Sequence, residues 1–215
     1  MNVIVKTLSL LTVLFCTGQY AWASGACMIT DFKGSPSLFS EKGQQAKIAR
    51  FKKLWPGDTI EVPKEAEIAL AYLALGRIEK WQGPALVTIG ANGSKDPNSN
   101  QQPMVTTIDK LNSYLKKSEL LNAQNVAGQI AIRGNGTAEA KNLNLTPQGK
   151  SELHQLETAY HKLVQQMAPS DITPELYYLA GLEKLGQRET MARHIHALLR
   201  KHGSNPELEK LLGKI

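Results

Sequence analysis

Residues 54–90 constrain the fold more than any other stretch. Trp55-Pro56-Gly57-Asp58 has turn chemistry, because proline pre-sets φ and glycine permits φ > 0. Ile60 and Val62 then alternate with polar neighbours, the period-2 signature of a half-buried strand. In the longer strand that follows, Ile68, Leu70 and Tyr72 share one face, and Ala69, Ala71 and Leu73 share the other. Apolar residues on both faces predict a central strand. Gly76 and Gly83-Pro84 break the run, and Val87 and Ile89 close it between Leu86, Thr88 and Gly90. Short strands at close spacing, with glycine and proline between them, predict a small β-barrel or sandwich. Gly57, Asp58, Gly76 and Gly83 are its structural turn residues, and Asp58 is expected to bond backbone in its turn.

The flanking sequence extends this unit. Residues 28–32 read as a first strand ending near Lys33-Gly34, and residues 47–51 as an extended stretch leading into Leu54. Between them, Ser40-Glu41-Lys42-Gly43-Gln44 reads as a hairpin connection with glycine at its tip. Residues 91–103, rich in Asn, Gly, Ser, Asp and Pro, read as a loop and a domain boundary. Thr106 is expected to open a helix, with Asp109 completing a capping-box variant and Ile108, Leu111 and Leu115 forming its apolar stripe. Residues 130–134 return to strand character, as an edge strand or as a cap on that helix, and residues 135–144 read as a linker.

Residues 26–90 resemble a FecR-type periplasmic β-domain. The matching positions are Phe32-Lys33-Gly34, Leu54, Gly57-Asp58, the run Glu67-Ile68-Ala69-Leu70-Ala71-Tyr72, and then Gly76 and Gly83. The resemblance implies the β-fold and an envelope setting. It names no substrate, because function lives in sites rather than folds.

Helical signals dominate from residue 146 on. Thr146-Pro147, Thr173-Pro174 and Asn205-Pro206 each place an N-cap residue before proline at the first helical position. Leu153, Leu156, Tyr160 and Leu163 give the first helix its stripe, and Leu176, Leu179, Ala180 and Leu182 serve the second, which Gly186 ends. Met191, Ile195, Leu198 and Leu199 serve the third, which Gly203 ends. The second and third helices resemble a degenerate tetratricopeptide repeat, with Leu185-Gly186 at the turn and Met191, Ala192 and Ile195 beyond it. The expected architecture is α+β: a small N-terminal β-barrel or sandwich followed by a C-terminal α-helical hairpin. Its divisions are residues 1–23, 24–103, 104–146 and 147–215, with 24–134 and 147–215 expected to fold as separable units.

Residues 1–23 carry the features of a secretory leader. Lys6 is the positive n-region, Leu8 and Phe15 bracket a short apolar core, and Ala21-Trp22-Ala23 fits small-x-small cleavage before Ser24. That core is shorter than the roughly 20 residues that a bilayer span needs. A periplasmic or secreted protein is expected, and with no later apolar run of that length, transmembrane signalling of the FecR type is not. Of two cysteines, Cys16 lies in the leader, leaving Cys27 to be buried and free, paired between molecules, or lipidated.

The net charge of +6 permits an acidic partner, but the basic residues are scattered and form no run of the nucleic-acid type. No metal site is expected from the five histidines. His194 and His196 diverge by about 200° on a helix, and His154 and His161 lie two turns apart; all five are expected to face solvent. There is no Gly-x-Ser-x-Gly elbow, and Gly134-x-Gly136 lacks a following helix, so neither enzyme activity nor a cofactor is expected. Trp55, Tyr72 and Trp81 are the candidate binding residues, as core rings or as a stacking platform. The expected function is non-enzymatic binding or scaffolding of another envelope protein. The alternative is binding of cell-wall glycan or an anionic polymer.

Overall fold

Bulk alternates along residues 67–72, and that alternation sets the layers. The computed structural model describes residues 27–108, 142–213 and 215. In the first sheet, β6 (Glu67–Tyr72) lies between β1 (Cys27–Lys33) and β7 (Arg77–Gln82), with β4 (Lys53–Leu54) beyond β1 and β10 (Met104–Thr107) beyond β7. The second sheet runs β3 (Gln45–Ala46), β2 (Ser37–Phe39), β5 (Thr59–Val62), β8 (Ala85–Gly90), β9 (Gly93–Lys95). All pairings are antiparallel.

Ile68, Leu70 and Tyr72 pack with Ile29, Ile60, Val87 and Ile89 between the two sheets. Ala69 and Ala71 project from the opposite face of β6, into a second cluster with Leu156, Leu176 and Leu179 of the helices. The centre of the first sheet is therefore buried on both sides, and β6 is central as its apolar faces predict. Among the described residues four helices make the third layer: α1 (Pro147–Gln166), α2 (Thr173–Lys184), α3 (Arg188–His202) and α4 (Pro206–Leu212).

The caps follow the sequence closely. Thr146 Oγ1 accepts from Gly149 N at 3.1 Å, and Asn205 Oδ1 accepts from Glu207 N and Leu208 N at 3.1 and 3.2 Å. Gly186 and Gly203, at φ 66° and 80°, follow the ends of α2 and α3. Thr173 differs: it is already the first residue of α2, and Asp171 Oδ1 accepts from its N and Oγ1 at 3.0 and 2.6 Å. Residues Thr173 to Leu182 are all buried, so α2 is a core helix without a solvent face. Gly181 lets α1 approach it: a Cβ there would stand 2.3 Å from Leu156 Cδ1.

A bulge joins the helices to the sheet. The β1–β6 register shifts between Ile29 and Asp31, leaving Thr30 as the extra residue. Its carbonyl accepts from Ile172 N at 3.1 Å, just before α2. Asp31 accepts from Arg50 Nη2 at 2.7 Å and from Ser170 Oγ at 2.9 Å. Asn205 Nδ2 donates to the Arg50 carbonyl at 3.0 Å. The surplus apolar surface of the helices thus meets the sheet, where the sequence suggested separable units.

Several local expectations are corrected. Residues 47–51 are not a strand; the chain turns there as it crosses from β3 to β4, with Phe51 at φ 65° and buried in the helix-facing cluster. The expected loop 91–103 contains β9, paired with β8. Thr106 opens no helix, since it lies in β10, where Val105, Thr106 and Thr107 form a β-branched run suited to a strand. Asn142 and Leu143, expected in a linker, are tied to the start of α3. Asn142 exchanges hydrogen bonds with Thr190, and Leu143 N donates to the Gly186 carbonyl at 3.1 Å. The leader, the remainder of the predicted helix at Leu111 and Leu115, the strand at 130–134 and linker residues 135–141 lie outside the described residues. No described helix is long and apolar enough to cross a membrane.

Glu175, in the first turn of α2, is buried, and its Oε2 has no hydrogen-bond partner among the described residues. Burial pushes its carboxyl above the usual glutamate range. The fold then favours the protonated form, so stability is highest below the unfolded-chain value and falls as pH rises through the raised folded value. Glu175→Gln should raise the urea midpoint at neutral pH, with the gain shrinking to nothing in acid. A gain independent of pH, or a loss at neutral pH, would contradict this account.

Candidate binding groove

Helix α1 carries two different strips. Leu156 packs fully buried against α2, with Leu153, Tyr160 and Leu163 around it. Gln155, Ala159, Lys162 and Gln166, at helical spacing on the adjacent strip, border a groove. Thr106, Thr107 and Ile108 form the sheet side of that groove, and Leu163, Met167 and Tyr177 complete its lining. Its volume is about 360 Å³, within the range of pockets that take small molecules or side chains. On the strand that borders it, Met104 and Val105 are 63% and 52% exposed.

The candidate binding residues from the sequence do not assemble into a platform. Tyr72 and Trp81 are each 1% exposed and belong to the inter-sheet core, so neither ring face is open to a sugar or peptide. Trp55 is half-buried at its turn. Trp81 Nε1 donates to Ser94 Oγ at 2.7 Å, while Glu79 Oε2 accepts from Ser94 N and Oγ at 2.9 and 2.5 Å. Arg77 pairs with Glu79 at 2.6 Å and lies over the Tyr72 ring at 5.5 Å. Gly93 leaves room for this pair, since a Cβ there would stand 2.3 Å from Arg77 Nη2. These groups tie β7 to β9 and leave Glu79 fully engaged.

The turn residues behave as their chemistry predicts. Asp58 Oδ2 accepts from Trp55 N at 2.8 Å and Oδ1 from Glu41 N at 3.3 Å. Gly57 has φ 95°, and its N donates to the Ile89 carbonyl at 2.9 Å. Gly76 has φ 65° after a short 3₁₀ turn, and a Cβ at Gly83 would stand 1.9 Å from the Pro63 carbonyl oxygen. Cys27 is buried beside Tyr72, and burial pushes its thiol well above the usual range, so it is held protonated.

His154, His161 and His196 are exposed as expected, but His194 and His202 are not. His194 stands edge-on to Tyr178 and Tyr160 at 5.0 and 5.7 Å, and its burial holds it below the usual histidine range. His202 meets Phe51 edge-on at 6.4 Å. Among the described residues no three His, Cys, Asp or Glu side chains are grouped as a metal site would need. The groove itself was not found from sequence, because it arises between α1 and a strand some forty residues earlier. The run of β-branched residues at 105–107 was the available signal.

Asp58→Ala removes two acceptor oxygens from a turn and should cost about 1 kcal/mol of stability. Urea denaturation checks the cost. Ligand capture per folded molecule should be unchanged, because the groove is built from other elements; a loss of capture at constant stability would give Asp58 a binding role.

Comparison with protein-family models, with curated proteins and with solved structures returns no match to this chain.

Proposed function

We propose that this chain is a non-enzymatic binding protein of the cell envelope, exported by its leader and recognising another envelope protein through the groove between α1 and β10. The observation that carries this reading is the groove itself. It is lined by apolar Ile108, Ala159, Leu163 and Met167 beside the exposed strand β10, and an apolar concave surface with a few polar groups at its border is the usual mark of a binding site. The buried acids argue in the same direction. Among the described residues four of the five buried acids, Asp31, Asp58, Glu79 and Asp96, are engaged by backbone or side-chain donors, as structural acids are, and the fifth, Glu175, does not line the groove. The FecR-like pattern of turns and strands supports the envelope assignment, and the tetratricopeptide-like hairpin fits a scaffold role. Binding of cell-wall glycan is the weaker reading, because two of its three aromatic rings are buried.

Position-specific photo-crosslinking in intact envelopes tests the proposal. A photoreactive residue at Gln166 or Met104 should capture a discrete protein, while one at Lys42, in the hairpin of the other sheet, should not. Capture that persists at moderate salt is expected of an apolar interface, whereas polymer binding would weaken steeply. Crosslinks confined to Lys42, or capture lost with modest salt, would overturn it.

A further inference from the structure

We propose that the outer edge of β10 takes an extended, acidic segment of the partner protein as a sixth strand of the first sheet, with alternate side chains entering the groove. This deepens the binding reading above and rests on it.

Among the described residues the two sheets have four edge strands, and three of them are blunted. β3 and β4 have two residues each, and β9 has three, with Gly93 and Lys95 among them. β10 has four, all exposed. It contains neither charge nor proline, and its register with β7 runs from Met104 opposite Lys80 to Thr107 opposite Arg77 without a bulge. Charge, proline and bulges are devices that protect an edge from pairing; β10 has none of them and is the longest of the four described edges. In an antiparallel pair, alternate residues turn their N–H and C=O away from the neighbour, and among the described residues no strand pairs with β10 on the side away from β7, so it offers a ladder there.

The groove says which side chains such a strand would carry. Thr106 lies opposite Ile78, which packs toward the helices, so Thr106 and Met104 share the α1 side of the sheet. A strand added outside β10 would send every second side chain to that same side, toward Ala159, Leu163 and Met167. Lys162 is the one charged residue among the described residues of the groove lining. A cation with no carboxylate among the described lining residues favours a carboxylate on the incoming strand. Main-chain pairing would supply affinity, and the groove with Lys162 would supply selectivity.

The test uses short fluorescein-labelled peptides of valine and threonine with one central glutamate, followed by fluorescence polarisation. A second peptide replaces glutamate by lysine, and a third keeps glutamate but is N-methylated at alternate residues. The glutamate peptide should bind, and the lysine peptide should bind at least about tenfold more weakly, the scale of one like-charge contact. The N-methylated peptide should not bind, because it lacks the donors that pairing needs. Lys162→Glu should reverse the preference, and Lys162→Ala should abolish it, with unchanged melting since Lys162 is exposed. Equal binding of the N-methylated peptide would overturn strand addition, as would a concentration-dependent dimer that the glutamate peptide fails to dissociate. Groove crosslinks in envelopes with no peptide binding would also overturn it while leaving the binding reading standing. Loss of those crosslinks would remove both.

Discussion

Burial of β6 on both faces is the constraint on which the rest of this structure depends. One face carries Ile68, Leu70 and Tyr72 and fills the space between two sheets; the other carries Ala69 and Ala71 and takes the helices. Large side chains suit the inter-sheet space, where two inner faces must interdigitate across about 10 Å. Small ones let a helix lie close to the strand. The same six residues therefore specify two different packings, and neither layer can be removed without exposing a face that water does not favour.

The helices answer that face with a helix that has no exposed side. α2 is buried from Thr173 to Leu182, which requires cover from the sheet, α1 and α3 together. The Thr30 bulge provides the polar part of the attachment. By releasing one residue from the β1–β6 ladder it frees a carbonyl for Ile172 N and positions Asp31 between Arg50 and Ser170. Docking on the central strands leaves α1 toward the β10 end, and the groove is the gap between them. The candidate site is thus a product of layer geometry, and no motif encodes it.

This explains what could be read from the residues and what could not. Positions with local causes were legible: the strand faces around β6, the Asp58 turn, the caps at Thr146 and Asn205, and the ends of α2 and α3 at Gly186 and Gly203. Short elements whose identity depends on partners were not. β9 exists because β8 offers it a ladder, and β10 because β7 does; three or four residues carry too little periodicity to declare themselves. Trp81 and Tyr72 were ambiguous for a related reason. An aromatic ring near a turn suits a core or a platform equally, and only the opposing sheet decided for the core.

Native-state hydrogen exchange tests the shared-layer account most directly. Amides of Leu70 in β6 and Leu179 in α2 should exchange through the same opening, with equal opening free energies that shift together in low urea. Amides of β10 that point away from β7 should exchange far faster, since no described strand pairs with them. If Leu179 exchanges through a separate opening of lower free energy, with Leu70 unaffected, the helices are an independent unit and the double burial of β6 does not govern the fold.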